Sequence, residues 1–180
     1  MQRLFVAIQP PQAVREKLLA EMGGVSHARW QSDQQLHLTL RFIGEVDRHL
    51  AADIVAALGM IHHPRFRLSL DRIGQFDRRG RIDSLWVGVT PQATVEALKR
   101  KVDQALLRVG IAPEQRAYLP HITLARFNRR PGDIADFAAR SGRLAVPSFA
   151  VDNFLLYESH LAQEGASYVP LARFALDPAR

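Results

Sequence analysis

The spacing of apolar and polar residues along the chain predicts seven strands and four helices. Stretches in which apolar and polar positions alternate are typical of strands that turn one face to a core. Residues 92–109 instead repeat apolar positions at helical spacing, and Gly110 stands where that helix should end. The predicted strands are 3–9, 36–43, 65–74, 83–90, 119–127, 147–158 and 167–176, and the predicted helices are 11–23, 48–60, 92–109 and 132–140.

The order of these elements favours an α+β fold. The strands come in hairpin-like pairs, one of them joined by the turn RRGR at residues 78–81, and they do not form regular βαβ repeats. We expect a single domain over residues 1–180. It should contain two similar lobes of mainly antiparallel sheet, about 1–90 and 91–180, with flanking helices around a central cleft that binds the ligand.

One four-residue pattern occurs twice, as HLTL at residues 37–40 and as HITL at residues 121–124. Alternation places His37 with Thr39, and His121 with Thr123, on one face of a strand, while the aliphatic residues enter the core. A single copy is weak evidence, because a strand histidine is more often structural. Two copies inside β-type runs, each followed by an arginine and a phenylalanine, are much stronger evidence for a shared site.

Two such strands facing each other would bring two imidazoles and two hydroxyls to one point. That set of groups suits metal-free acid/base chemistry on a phosphate, because histidine has an ordinary pKa of about 6.5 and serves as acid or base near neutrality. The threonine hydroxyls can donate to phosphoryl oxygens, although either threonine alone also simply suits a strand. These residues by themselves do not distinguish the acid from the base.

The surrounding sequence resembles the RNA 2′,3′-cyclic phosphodiesterase family, also called the 2′-5′ RNA ligase family, of the two-histidine phosphoesterase superfamily. The resemblance extends over nearly the whole chain, and the two histidine blocks are its specific part. One departure is His160, where we expect a residue that does not titrate. The matching blocks are RLFVAI at 3–8, Trp30, HLTLRFIG at 37–44, LWVGV at 85–89, RAYLPHITLAR at 116–126, LLYES at 155–159 and YVPL at 168–171.

The resemblance implies a hydrolase that opens 2′,3′-cyclic phosphates at RNA ends and leaves a 2′-phosphomonoester. It assigns His37 as the proton donor and His121 as the proton acceptor. The same groups can run the reverse reaction and form a 2′-5′ linkage, but we expect hydrolysis to dominate in water.

Arg126 and Arg41 are both candidates to neutralise the phosphate. Simple alternation puts Arg41 on the His37 face and Arg126 on the face opposite His121, unless a bulge or a strand end redirects it. The resemblance nevertheless favours Arg126, and a surface ion pair is the alternative role for both. Phe76 is a candidate platform for the terminal base, because stacking on an aromatic ring contributes about 1–3 kcal/mol; ordinary loop packing is its alternative.

Composition narrows the class of protein further. The chain has 47% hydrophobic and 23% charged residues, as in ordinary globular proteins, and no apolar run long enough to cross a bilayer. It contains no cysteine, and its start resembles a strand more than a secretory signal, so we expect a cytoplasmic monomer. We expect no metal and no cofactor, because no metal-ligand motif or glycine-rich phosphate loop is present.

A net charge of +6 favours a polyanionic partner, and RNA with a 2′,3′-cyclic phosphate end is the partner we expect. Six arginines between residues 65 and 81 form either a rim that attracts phosphate or a solvated loop. Two other functions stay open. The chain could hydrolyse small cyclic nucleotides such as an ADP-ribose cyclic phosphate, or it could be a non-catalytic module that binds RNA ends.

Overall fold

The structure is a computed structural model that describes residues 1–140, 146–162 and 165–178. These residues form nine strands and four α-helices, together with a one-turn 3₁₀ helix at Asp33–Gln35. The strands are β1 (Gln2–Ile8), β2 (Ala28–Trp30), β3 (Leu38–Val46), β4 (Phe66–Arg78), β5 (Arg81–Thr90), β6 (His121–Phe127), β7 (Phe149–Val151), β8 (Asn153–Ala162) and β9 (Gly165–Ala175). The helices are α1 (Gln12–Glu21), α2 (Arg48–Gly59), α3 (Gln92–Arg108) and α4 (Ala135–Arg140).

The described strands join in one sheet with the order β7-β4-β5-β6-β3-β1-β8-β9, and β2 adds to β6. Every pair of neighbouring strands is antiparallel. The α+β class predicted from the sequence is therefore confirmed.

The sheet consists of two groups that meet at a narrow seam, one of five strands (β2, β4, β5, β6 and β7) and one of four (β1, β3, β8 and β9). β3 and β6 touch through one registered pair, Leu38 opposite Ile122, which are the residues directly after the two motif histidines. Each group draws strands from early and late parts of the chain, because β4 and β5 lie beside β6 while β8 and β9 lie beside β1. The predicted division into two lobes near residue 90 stays a prediction. Strands from before residue 90 pair with strands from after it in both groups.

The main hydrophobic core lies between the sheet and the helices. Helix α3 contributes a stripe that includes Val95, Leu98 and Val102, all fully buried. Strand β1 is buried on both faces: Leu4 and its alternate neighbours join this core, and Phe5 and its alternate neighbours form a smaller cluster on the other face. Motif strand β3 is thus supported from behind by helices, while aromatic rings gather on its open face.

The sequence pattern missed two features of the strands. β2 was not predicted, and the predicted run 147–158 is two strands. β7 pairs with β4, whereas β8 pairs with β1 and β9, so the chain changes partner at Asp152. The Asp152 carbonyl accepts a 2.7 Å hydrogen bond from the Leu176 amide at this point. Periodicity alone does not reveal which strand each part of the run pairs with, because the partner strands lie elsewhere in the chain.

Candidate active site

The two motif histidines lie at the seam of the sheet. Antiparallel pairing of Leu38 with Ile122 sets His37 beside Thr123 and His121 beside Thr39. All four polar side chains line one cleft of about 410 Å³. The structure therefore brings together both predicted catalytic residues and both predicted phosphate-binding threonines.

Each imidazole is held by a backbone carbonyl two residues earlier in the chain. His37 Nδ1 lies 2.7 Å from the Gln35 carbonyl oxygen, and His121 Nδ1 lies 2.6 Å from the Leu119 carbonyl oxygen. A carbonyl oxygen only accepts, so Nδ1 carries the hydrogen in both rings. Nε2 is left in each ring as the nitrogen that can take or release a proton.

Aromatic rings fix the orientation of both imidazoles. The ring of His37 lies 4.9 Å from that of Phe5 and 5.1 Å, edge on, from that of Tyr168. The ring of His121 lies 4.9 Å, edge on, from that of Phe76 and 5.8 Å from that of Trp86. Such contacts limit ring rotation, so each Nε2 has a defined direction.

The site favours neutral imidazoles. Burial lowers the pKa of His37 to about 4, against the opposing effect of its hydrogen bond to the Gln35 carbonyl, and the positive charge of Arg126 lowers this pKa further. Burial and Arg126 also lower the pKa of His121. Near pH 7 the site therefore holds two neutral rings beside the cations Arg3 and Arg126, an arrangement that attracts an anion.

Arg126 lies in the same cleft because β6 contains a bulge. Leu85 of β5 pairs with Ala125, but the next residue, Trp86, pairs with Thr123, so Leu124 is skipped. Leu124 and Ala125 are consequently both buried, and Arg126 returns to the face of Thr123. Strict alternation would place this guanidinium on the other face, and the bulge reverses that outcome.

An analogous bulge in β3 takes Arg41 away from the site face. Val6 pairs with Arg41 and Ala7 pairs with Thr39, so one residue of β3 is skipped. The buried Arg41 side chain instead forms a 3.2 Å ion pair with Asp103 of α3 and donates to the Ala112 carbonyl. Alternation placed Arg41 on the His37 face, and that expectation is wrong because the bulge shifts the phase of the strand.

Phe42 is a site residue that the sequence analysis missed. It follows His37 by five residues, as Arg126 follows His121, and its side chain is 58% exposed at the cleft. A comparison of the two motif copies at this offset would have found it. Phe76 lies on the opposite side, in an adjoining groove of about 780 Å³ that also contains Thr39, Phe42 and His121.

Two supporting contacts attach the motif strands to neighbouring loops. The Gln35 side chain donates a 2.7 Å hydrogen bond to the Ala166 carbonyl and so connects the β8–β9 hairpin to the segment before His37. The Tyr118 hydroxyl donates a 2.8 Å hydrogen bond to the Thr39 carbonyl. These contacts fix the backbone on both sides of the cleft.

The other histidines of the chain do not line the cleft. His160 is half exposed on β8 and lies 3.5 Å from Glu158. Within the described residues, no three histidine, aspartate or glutamate side chains are grouped so that they could hold a metal ion. No helix in the described part of the chain is long and apolar enough to span a membrane.

The protein has an α+β fold, and two histidine–threonine pairs of its antiparallel sheet face one cleft. This arrangement defines a phosphoesterase of the two-histidine type. The family model described as LigT like Phosphoesterase matches the chain twice, over residues 8–86 and 87–168, and each match contains one motif histidine. The chain belongs to this family. The resemblance seen in the sequence, and the expectation that the protein is an enzyme, are confirmed.

Named relatives and solved structures agree with this membership. The RNA 2′,3′-cyclic phosphodiesterase of Escherichia coli K12 is 33% identical over 184 residues and covers 97% of each chain. That of Archaeoglobus fulgidus is 29% identical over 175 residues, covering 96% of this chain and 99% of the relative. The crystal structure of E. coli LigT complexed with 3′-AMP has a TM-score of 0.78 at 31% identity and covers 97% of this chain and 98% of that one.

Proposed function

We propose that this protein hydrolyses the 2′,3′-cyclic phosphate at RNA ends and leaves a 2′-phosphomonoester. One observation carries the proposal: two imidazoles of fixed tautomer share a cleft with two threonine hydroxyls and two guanidinium groups, those of Arg3 and Arg126. The relatives named RNA 2′,3′-cyclic phosphodiesterase support the same reaction. In this proposal His37 and His121 are catalytic, and Thr39, Thr123 and Arg126 bind phosphate.

The reaction needs one base and one acid on opposite sides of phosphorus. His121 Nε2 accepts a proton from water, whose oxygen forms the new bond to phosphorus. The bond from phosphorus to the ribose 3′ oxygen breaks, and His37 Nε2 supplies the proton to that oxygen. Thr39 and Thr123 donate to the non-bridging oxygens, and Arg126 balances their charge. This assignment of acid and base follows the family resemblance.

Binding of the substrate prepares His37 for its role as donor. The residues of the site disfavour protonated imidazole, because burial and Arg126 both lower the pKa values of the two histidines. A phosphodiester anion beside Arg126 offsets that positive charge and stabilises one imidazolium. The substrate thereby promotes the singly protonated pair that catalysis requires.

The substrate end needs a place for its terminal base. Phe76 is half exposed and borders the groove next to His121, so it can stack on a base without leaving its contact with the imidazole. The similar E. coli LigT forms a complex with 3′-AMP, which supports a nucleotide as ligand. We propose Phe76 as the stacking platform of this chain.

Assembly and location form a second part of the proposal. Both histidines come from one chain and meet within one sheet, so the site is complete without a second copy, which supports a monomer. The lack of cysteine suits a reducing compartment and supports a cytoplasmic location. The same acid and base can form a 2′-5′ linkage when a ribose 5′-hydroxyl replaces water: His121 accepts its proton, its oxygen bonds to phosphorus, and the 3′ oxygen leaves with a proton from His37.

Single and double histidine variants test the proposal. We expect His37→Ala and His121→Ala each to lower turnover of a cyclic-phosphate RNA end by roughly 10²–10⁴-fold, and the double variant to be little worse than the poorer single one. Thr39→Ala and Thr123→Ala should lower it less. His160→Ala is the matched control and should keep wild-type turnover, because this histidine lies outside the cleft.

The same assay separates the competing functions. Activity should survive exhaustive chelation, and chromatography should show a 2′-phosphate product. Turnover confined to a small cyclic nucleotide would favour a phosphodiesterase for small cyclic nucleotides. Binding of RNA ends without turnover would favour a non-catalytic module that binds RNA ends. Near-wild-type turnover by His121→Ala would overturn the two-histidine mechanism.

A further inference from the structure

Five arginines line a groove between the tip of the β4–β5 hairpin and the segment that follows β6. Arg78, Arg79 and Arg81 come from the hairpin, and Arg129 and Arg130 come from the segment after β6. The groove consists of two adjoining cavities of about 1150 and 370 Å³, and we call it the arginine groove. Its two sides are far apart in the sequence, so only the fold brings these charges together.

The arginine groove carries unpaired positive charge. All five guanidinium side chains are exposed, and within the described part of the chain none is within ion-pair distance of a carboxylate. Three aspartates also line the cavities, which leaves an excess of two positive charges; these are Asp77, Asp83 and Asp133. Unpaired guanidinium groups in a concave surface suit bidentate contacts to phosphate.

Not every arginine of the stretch between residues 65 and 81 contributes to this surface. Arg65 donates to the Leu176 carbonyl, and Arg67 donates to Ser148, so both are engaged at the distant end of the β4–β5 hairpin. Arg72 lines neither cavity of the arginine groove. Only the three arginines at the hairpin tip therefore remain of the predicted rim, and the structure adds Arg129 and Arg130 to them.

The arginine groove continues from the catalytic cleft. The groove beside His121 and Phe76 also contains Arg78 and Asp83, and these two residues line the smaller arginine cavity as well. Arg78, the last residue of β4, lies two residues beyond Phe76, roughly 7 Å away at the usual rise of a strand, and Arg79 of the turn follows it. A chain whose last phosphate lies between the histidines can thus extend past Phe76 onto the arginines.

The hairpin turn places an arginine where stability alone favours another residue. Arg79 and Gly80 form a two-residue turn with φ of 52° and 73°, the positive values of a type I′ turn. Asn or Gly is preferred at the first of these positions, because a long side chain on an L-residue is disfavoured at positive φ. An arginine here puts a cation at the rim of the groove at a cost in local conformation.

We propose that the arginine groove binds the phosphodiester backbone of the RNA nucleotides on the 5′ side of the cyclic phosphate. This inference rests on the proposed function, which it extends from a reactive end to an RNA chain. Backbone contacts of this kind add affinity without base preference, and they weaken with salt. A cyclic mononucleotide has no such nucleotides and should gain nothing from the arginine groove.

The test compares two variants that each lose two positive charges. Arg79→Asn with Arg129→Gln removes one cation from each side of the arginine groove, and Arg100→Gln with Arg108→Gln removes two exposed cations from α3. Asparagine suits the turn, so the first variant should fold at least as stably as the wild type. Both are assayed on a 2′,3′-cyclic mononucleotide and on a short RNA with a cyclic phosphate end, and RNA binding is measured by fluorescence anisotropy over a range of salt.

The groove variant should keep mononucleotide turnover within about twofold, while its KM and Kd for the RNA rise about tenfold or more. Its slope of log Kd against log salt should fall by about 0.7 for each RNA phosphate that the protein no longer neutralises. RNA affinity and salt slope equal to those of the α3 control would overturn the inference. Wild-type protein that turns over neither substrate would overturn the proposed function, and the binding data would still decide whether the arginine groove holds RNA.

Discussion

The dependence of turnover on pH tests the histidine pair most directly. Burial lowers the pKa of His37 to about 4, and the pKa of His121 is lowered as well. Hydrolysis needs one protonated and one neutral ring. Whether His37 or His121 is the protonated one, the active pair of histidines carries the same number of protons. The expected pH profile is therefore independent of which histidine donates, and its maximum lies on the acidic side of neutrality.

The size of the effect follows from these pKa values. With a pKa of about 4, free His37 is protonated in about one molecule in 10³ at pH 7 and in about one in ten at pH 5. Protonation of His121 works against this gain as the pH falls. An unshifted His121 pKa of 6.5 would leave a net rise in kcat/KM of about fourfold from pH 7 to pH 5, and the lowered pKa makes the rise larger.

The assay is the initial rate at low concentration of a cyclic-phosphate RNA end, measured from pH 4 to pH 8 at constant ionic strength. Circular dichroism at each pH shows that the fold persists. His160→Gln is the matched control, because it removes a half-exposed histidine that lies outside the cleft and should leave the profile unchanged. A kcat/KM that is flat below pH 7, or that climbs steadily to pH 8, would refute the scheme of two buried histidines.

Three further outcomes concern stability, and urea unfolding measures each. The unfolding free energy should fall by at most about 3 kcal/mol from pH 6.5 to pH 4, because His37 binds a proton in the unfolded chain that it does not bind in the folded site. The His37→Gln variant should lack the share of this fall that His37 causes. An unfolding free energy that falls equally steeply with pH in the variant and the wild type would contradict the prediction. Gly74→Ala should destabilise by roughly 1–3 kcal/mol, since its Cβ would lie 2.2 Å from the Trp86 ring, and unchanged stability would show that the ring relaxes freely. Tyr118→Phe should cost about 1 kcal/mol, and no loss would show that its hydrogen bond contributes nothing net.

Residues close together in the sequence were predicted well. The strand carrying each motif, the shared face of His37 with Thr39 and of His121 with Thr123, and the helix over residues 92–109 all depend on local periodicity, which the chain shows directly. The two motif copies also showed that the histidines should meet. Local pattern contains this information because strand and helix periods are set by backbone geometry within a few residues.

The bulges and the change of partner strand depend on tertiary structure. Skipping Leu124 turns Arg126 into the cleft, and the corresponding skip in β3 sends Arg41 to Asp103. A bulge is a mismatch between two strands, so neither strand alone records it. The split of the run 147–158 has the same origin, since β7 and β8 pair with different strands from other parts of the chain.

The sequence by itself determined the α+β class, the family and the pair of catalytic candidates, because each depends on residue type and short spacing. Only the tertiary structure decided whether Arg41 or Arg126 faces the cleft, which rings surround each imidazole, and which distant arginines share a groove. Those outcomes depend on contacts between strands remote in the chain, where one skipped residue reverses the direction of every side chain that follows.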